Sequence, residues 1–300
     1  MPAERKLPGP AYLYDTGGFS MEGYCGFFLL PGEDELAIVD TGPSVTVDRV
    51  FDAIEEQGFS PEDVTDILPT HIHLDHAGAT WRLLEECPNA RAHIHENGIA
   101  FLTDPELVGK LMTSVEAAVG SERFPQYGTL QPIDVDRTRS IAGGETVAFG
   151  GRELELVDAP GHAPHQYNVF DLEASVLYVG DAAGIRCEGR PLLMTTPPPA
   201  FDLEAWRDTL DELEALEPDH VALTHFNVVD GAHLATFRGD LEAWVDRIRE
   251  LRAEGHPFDE TVQRLMKEYD AGLEVYDEAT FRHEVRMNTR GVWDWLDEQG

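Results

Sequence analysis

The 300-residue chain carries 57 Asp and Glu against 22 Lys and Arg, a formal net charge of −35. That excess argues against partners that require a basic face, namely nucleic acid and anionic membranes. The acid is spread along the whole length instead of gathering in a tail, and only Lys6, Lys110 and Lys267 are lysines.

The length suits one large domain or two small ones, and the apolar fraction is enough for a sizeable core. Cys25, Cys87 and Cys187 are odd in number and far apart, so they form no CxxC and no disulfide framework. Buried free thiols in a reducing compartment are expected. Residues 1–10 lack the apolar run of a signal peptide, and no stretch approaches the ~20 apolar residues that span a bilayer. A cytoplasmic location is expected.

Residues 12–30 read as a strand pair punctuated by Gly17, Gly18 and Gly23, with Phe27-Phe28-Leu29-Leu30 as a buried strand. Leu36-Ala37-Ile38-Val39 is the next strand and ends in Asp40-Thr41-Gly42. A helix starts at Ser44 or Thr46, with Val47, Val50, Phe51 and Ile54 at i, i+3, i+4, i+7, and Gly58 closes it. Ile67-Leu68-Pro69 is a short strand, a helix carries Trp81, Leu83 and Leu84, and Ala92-His93-Ile94-His95 is a strand. Residues 99–126 are helical in composition with breaks at Pro105, Gly109, Gly120 and Pro125. Such an insert is either a substrate wall or lid, or a helical bridge between half-domains.

From Ile141 the pattern returns to strands, with Leu154 and Leu156 alternating and Val176-Leu177-Tyr178-Val179 buried. Pro197 to Pro199 form a rigid loop, and Asp202 caps a helix through Trp206, Leu210 and Leu213. Val221-Ala222-Leu223 reads as a last core strand, and everything after it as helix. Phe237, Leu241, Trp244, Val245 and Ile248 make one apolar stripe, Val262, Leu265, Met266 and Tyr269 a second, and residues 279–298 a third helix.

His71-Ile-His73-Leu-Asp75-His76 packs three imidazoles and a carboxylate into six residues. These are ligands that Zn²⁺ and Fe²⁺ take, and four in one run can reach two ions. Four buried strands end in residues of this type: Thr70-His71, Gly161-His162, Gly180-Asp181 and Thr224-His225. In α/β proteins sites gather at the carboxyl ends of strands. A polar loop that happens to hold histidines would explain the first run but not the later ones.

Taken in order, these motifs resemble the metallo-β-lactamase superfamily over roughly residues 12–226. The resemblance implies an α/β fold, a four-layer αβ/βα sandwich with metals at one edge of its two sheets. It implies a domain over residues 1–230, with the helical insert at about 99–126, and a helical C-terminal extension over residues 231–300. It also implies two Zn²⁺ per chain, one on His71, His73 and His162, the other on Asp75, His76 and His225, with Asp181 bridging both. No ligand position is substituted. A bridging hydroxide would then be the nucleophile, since zinc can lower the pKa of bound water to about 7, and Asp75 would orient it and take its proton. Asp40, which matches the family's acidic residue ahead of the main motif, and Thr70 would hold the histidine tautomers from behind. His165 would face the substrate or support the site. His93 and His95 are expected in a strand or at the rim, His220 is expected to be structural, and His233, His256 and His283 exposed.

The resemblance points to a hydrolase of the glyoxalase II-like branch, acting on a small thioester, lactone or related acyl substrate. The alternative is an iron-dependent oxygenase resembling persulfide dioxygenases, with a single Fe²⁺ on His71, His162 and Asp181. A flavodiiron role fits less well, because those relatives carry Glu where this chain has His73. A scaffold role would leave eroded ligands, and none is eroded. The basic cluster that would bind glutathione carboxylates is missing, with only Arg282, Arg286 and Arg290 as candidates. Substrate walls are expected from the 99–126 insert, the loop 186–199 and the C-terminal helices. Their mixed residues Phe101, Phe124, Tyr127, Met194 and Phe201 suggest a partly apolar pocket. The expected partner is a small-molecule substrate. A homodimer is plausible, although no residue pattern marks an interface.

An acidic surface of this kind repels itself at low salt, and at molar salt the screening length falls to roughly 3 Å. The chain is therefore expected to be salt-adapted, or halophilic. Its melting temperature should rise from dilute buffer to concentrated KCl, and equal stability in both would overturn this reading.

Overall fold

The apolar runs that read as buried strands are buried on both faces, and this dictates the layering. The computed structural model describes residues 4–187, 189–274 and 276–299. A seven-stranded sheet is built from β1 (Glu4–Lys6), β2 (Tyr12–Asp15), β3 (Gly26–Pro31), β4 (Leu36–Val39), β5 (Val64–Leu68), β6 (Arg91–His95) and β7 (Thr138–Ile141), in that order. Its first four strands pair antiparallel and its last four parallel. A six-stranded sheet contains β8 (Glu145–Phe149), β9 (Arg152–Asp158), β10 (Tyr167–Asp171), β11 (Val176–Tyr178), β12 (His220–Leu223) and β13 (Asn227–Asp230), in the reverse order. All its pairs are antiparallel except β11 with β12.

Alternate residues of each strand point to opposite faces, so one strand feeds two cores. Phe28, Leu30, Ala37, Val39 and Leu68 meet Leu154, Leu156, Tyr167, Val169 and Tyr178 between the sheets. Phe27, Leu29, Leu36, Ile38 and Ile67 face the other way, onto the helices that cover the first sheet. Those helices are α1 (Asp48–Glu56), α2 (Leu74–Ala77), α3 (Thr80–Glu86), α4 (Glu96–Thr103) and α5 (Pro105–Val119). Leu177, Val179, Val221 and Leu223 pack under α6 (Leu203–Ala215), α7 (His233–Ala253), α8 (Phe258–Glu268) and α9 (Glu278–Gln299). The four-layer αβ/βα sandwich expected from the sequence is therefore the observed fold. Trp206 of α6, Phe237 and Trp244 of α7 and Val292 of α9 share one core. All three cysteines are buried and free. Among the described residues no helix is long and apolar enough to cross a membrane.

Three expectations need correction. Gly109 does not break the insert: α5 runs through it, started by the Asp104 carboxylate, which accepts from the N–H groups of Glu106 and Leu107. An exposed mid-helix glycine costs only about 1 kcal/mol, and the apolar stripe Val108, Leu111, Met112 and Val115 outweighs it. The chain after His225 is not all helix, because β13 pairs with β12 from Leu223↔Asn227 to His220↔Asp230. A four-residue edge strand is too short to show a period. His233 is not exposed: the start of α7 tucks it under residues 183–186, with Nε2 3.0 Å from the Ala183 carbonyl and Nδ1 3.0 Å from Arg186 Nη1. His256 and His283 are half-buried, since the C-terminal helices pack against the sandwich and one another.

The two sheets are also joined by a buried ion pair. Arg152 Nη1 lies 2.5 Å from Asp171 Oδ2 within the second sheet, and its Nη2 donates to the Pro31 carbonyl of β3 at 3.0 Å. Arg152→Met leaves Asp171 buried without its cation and should cost about 3–5 kcal/mol. Urea unfolding in molar KCl measures this, and a loss below about 1 kcal/mol would contradict the assigned role.

Candidate metal centre

The carboxyl ends of β4, β5, β11 and β12 come together at one edge of the sandwich, and the chain turns there in ways few residues allow. Asp40 follows β4 with φ +56°, a conformation that a non-glycine residue holds only where its surroundings impose it. The turn sends its carboxylate inward, where it is fully buried. Oδ1 accepts from Thr70 N at 2.7 Å and Thr70 Oγ1 at 2.9 Å. Oδ2 lies 2.9 Å from His76 Nδ1 and accepts from Thr224 Oγ1 at 2.5 Å. Two glycines make room for this. Gly180 (φ +50°) would place a Cβ 2.4 Å from Thr70 Oγ1, and Gly161 (φ +135°) would place one 2.4 Å from Cβ of Trp206.

These contacts set the histidine tautomers. Thr70 gives its one hydroxyl proton to Asp40, so it can only accept from His71 Nδ1, 3.1 Å away. His71 then turns an unprotonated Nε2 inward. His76 is fixed through Nδ1 to Asp40, His162 through Nδ1 to the Thr195 carbonyl at 2.7 Å, and His225 through Nδ1 to the Tyr24 carbonyl at 2.9 Å. His73 presents its Nδ1, 3.0 Å from His162 Nε2. Asp181 lies between the two groups of imidazoles, with Oδ1 3.1 Å from His225 Nε2 and 3.3 Å from His76 Nε2, and Oδ2 3.5 Å from His162 Nε2. Asp75 Oδ2 is 3.6 Å from His76 Nε2.

Nε2 of His71, His76 and His225 and Oδ1 of Asp181 are buried and make no well-aligned hydrogen bond, although His76 and His225 stand against Asp181. Buried polar atoms are rarely left this way, because each costs its full desolvation. Here they converge: His71, His73 and His162 form one set of ligand atoms within 4.8 Å of one another, His71, His76 and Asp181 a second, and Asp75, His76 and His225 a third. Nitrogen and carboxylate donors in overlapping triplets suit divalent cations. Burial and the neighbouring rings push His71 well below its ordinary pKa, and burial pushes His73 to about 3 and His162 to about 4. Their lone pairs stay available. Burial alone would raise Asp181, but the surrounding imidazoles hold it well below the carboxylate range. Burial opposes charge on His76 and His225, yet the facing carboxylates raise both.

The residues expected to form the site are therefore brought together, with Asp40 and Thr70 behind the histidines. His165 lines the cavity above the cluster, its ring stacked 6.2 Å from that of His71 and its Nδ1 buried and unpaired. Burial lowers its pKa to about 3. His93 and His95 stand on β6, bound to Asp66 at 2.7 Å and Asp158 at 3.1 Å, away from the cluster. Sequence reasoning missed four contributors. Thr224, next to His225, carries no ligand-type side chain of its own and acts through its hydroxyl on Asp40. Tyr24 and Thr195 act through carbonyls, which leave no mark in a sequence. Glu284 is 5 % exposed and accepts from Tyr24 Oη at 3.0 Å. Its one signal is an acid on the face of α9 that also buries Phe281, Val285 and Val292.

The cluster forms the floor of a cavity of about 340 Å³. The insert supplies Phe101, Leu111 and Val115 to its wall, the 195–200 segment supplies three prolines, and α9 supplies Glu284 and Met287. Residues 99–126 thus supply part of the wall of this cavity.

Residues 21–225 match the family model described as the metallo-beta-lactamase superfamily. The metallo-beta-lactamase fold-containing protein ST1585 of Sulfurisphaera tokodaii is 28 % identical over 203 residues, 67 % of this chain and 72 % of that protein. Its crystal structure superposes with a TM-score of 0.70 at 22 % identity, covering 98 % of this chain and 99 % of that one. A hydroxyacylglutathione hydrolase of Synechococcus sp. is 26 % identical over 235 residues, 77 % of this chain and 76 % of that protein. An N-acyl homoserine lactonase of Bacillus sp. is 30 % identical over 139 residues, 45 % of each chain.

Replacing Asp40 by Asn turns an amide donor toward groups that are already donors. Asp40→Asn is expected to destabilise the fold by roughly 2 kcal/mol. An unchanged unfolding midpoint in molar KCl would mean that this carboxylate does not hold the two sheet edges together.

Proposed function

The chain belongs to the metallo-β-lactamase superfamily, and from that premise we propose that it is a zinc-dependent hydrolase of a small acyl substrate, a thioester or a lactone. The observation that carries this reading is the convergence of unpaired buried nitrogen and oxygen atoms from three strand ends on the floor of a largely apolar cavity. The lactonase and the hydroxyacylglutathione hydrolase among the relatives support the substrate class. In this proposal His71, His73 and His162 would hold one ion and Asp75, His76 and His225 a second, with Asp181 available to both.

Divalent ions held there acidify water and polarise an acyl carbonyl. The protein's own part is positioning and proton transfer. Thr70, Asp40, Thr195 and Tyr24 keep each imidazole turned to its task. Asp75 is half-exposed to the cavity, so one of its oxygens is free to orient the attacking water and accept its proton. As the carbonyl carbon gains the water oxygen and loses sulfur or alkoxide oxygen, that proton passes to the leaving group. Phe101, Leu111, Val115 and Met287 provide an apolar wall for the acyl chain and keep bulk water away.

Glutathione thioesters fit less well. Arg282 pairs with Glu278, Arg286 with Asp259 and Arg290 with Asp294, and none of the three lines the cavity.

Metal analysis of protein purified in high salt without chelator is the first test, with near two zinc ions per chain expected. One iron per chain would replace this reading with the oxygenase, and no metal, with none taken up on adding Zn²⁺ or Fe²⁺, would overturn both. Asp181→Ala should lose metal as well as rate. Asp75→Asn should lower kcat by about 100-fold or more while its melting temperature moves little, and full activity in that variant would refute the assigned proton transfer.

A further inference from the structure

Arg123 is the one lysine or arginine among the described residues that line the cavity. It lies between α5 and the turn Phe124–Gln126, half-buried among apolar neighbours. In this acidic chain many arginine side chains are engaged by carboxylates, but none of the described carboxylates is within ion-pair distance of Arg123. Its one side-chain hydrogen bond among the described residues runs from Nη2 to Thr280 Oγ1 at 2.6 Å. Thr280 gives its own proton to Asp277 Oδ2, also at 2.6 Å. The guanidinium is thus held in place by a hydroxyl that Asp277 orients, and most of its fork of donors is left without a protein partner. A planar cation held this way in an apolar wall is suited to a carboxylate.

The other charged groups at the cavity do not take that role. Asp75 and Asp181 belong to the metal cluster on the floor. Glu284, one turn along α9 from Thr280, is bound by the Tyr24 hydroxyl. Burial raises its pKa despite Tyr24, His225 and Arg123, so it resists becoming a competing anion. Burial and Arg123 together push His283 to about 4, so no second cation stands beside Arg123.

We infer that Arg123 is an anion subsite, and that the acyl group cut at the metal cluster carries a carboxylate remote from the scissile bond. This deepens the hydrolase reading and rests on it. Leu111, Val115 and Met287 would line the hydrocarbon between the two ends.

The test is calorimetric titration of the purified metalloprotein with α,ω-dicarboxylates from succinate to suberate, beside the monocarboxylates of equal length. The wild type should bind the best-fitting dicarboxylate at least about tenfold more tightly than its monocarboxylate, the scale of one charge-assisted hydrogen bond. Arg123→Met, shown to be folded by its melting temperature, should bring that ratio to within about twofold, and Arg123→Lys should keep part of it. A flat ratio at every length in the wild type, or an unchanged ratio in Arg123→Met, would overturn the subsite. Preference for a phosphate-ended chain over every dicarboxylate would overturn the carboxylate assignment. Hydrolysis of the corresponding thioesters is assayed in parallel. If none is cut, the hydrolase reading fails while the binding ratio still decides the subsite, and if they are cut with a flat ratio, the subsite fails alone.

Discussion

The edge that carries the histidine cluster depends on one buried side chain. Asp40 is fully enclosed and accepts hydrogen bonds from Thr70, at the end of a strand in the first sheet, and from Thr224, at the end of a strand in the second. It also holds His76. A polar side chain buried this completely is tolerable only because its oxygens are well supplied with donors. The same bonds decide which nitrogen of His71 and His76 faces the cluster, so the join between the sheets and the electronic state of the site have one cause. The left-handed backbone of Asp40 and the close approach of Thr70 to Gly180 are what this arrangement requires of the chain.

The rest of the sandwich supports that edge. Each strand sends alternate side chains into the core between the sheets and into a helix-covered outer core, so strand ends can be held without exposing backbone. Arg152 adds a second link between the sheets far along the strands, through Asp171 and the Pro31 carbonyl. The carbonyls of Tyr24 and Thr195, from opposite sides of the cleft, orient His225 and His162. Local backbone placement therefore sets the ligand geometry as much as the ligands themselves do.

Two additions to this frame build the cavity. The insert helices α4 and α5 bring an apolar wall and Arg123, and α9 brings Thr280, Glu284 and Met287 to the opposite side. They meet in the Arg123–Thr280 contact, while Tyr24 ties α9 to the His225 side of the cluster. Most of the cavity wall is thus built by segments other than those that carry the metal-type residues.

The sequence by itself determined the main strands and helices and the metal-type residues at strand ends, and the layering and the ligand set followed from its resemblance to the family. The buried strands are continuous apolar runs, α1, α6, α7 and α8 carry apolar stripes, and His71, His73, Asp75, His76, His162, Asp181 and His225 are chemically distinctive beyond strand ends. What it left open has physical reasons. Strand β13 is too short for a period, and Gly109 is a weak breaker that an apolar stripe overrides. His233 is buried by a loop distant in sequence. Only the tertiary structure decided that Asp40 joins both sheets, that carbonyls of Tyr24 and Thr195 fix two histidines, and that Arg123 and Glu284 face one cavity. Those contacts form between segments far apart in the chain, and a carbonyl oxygen is the same at every residue.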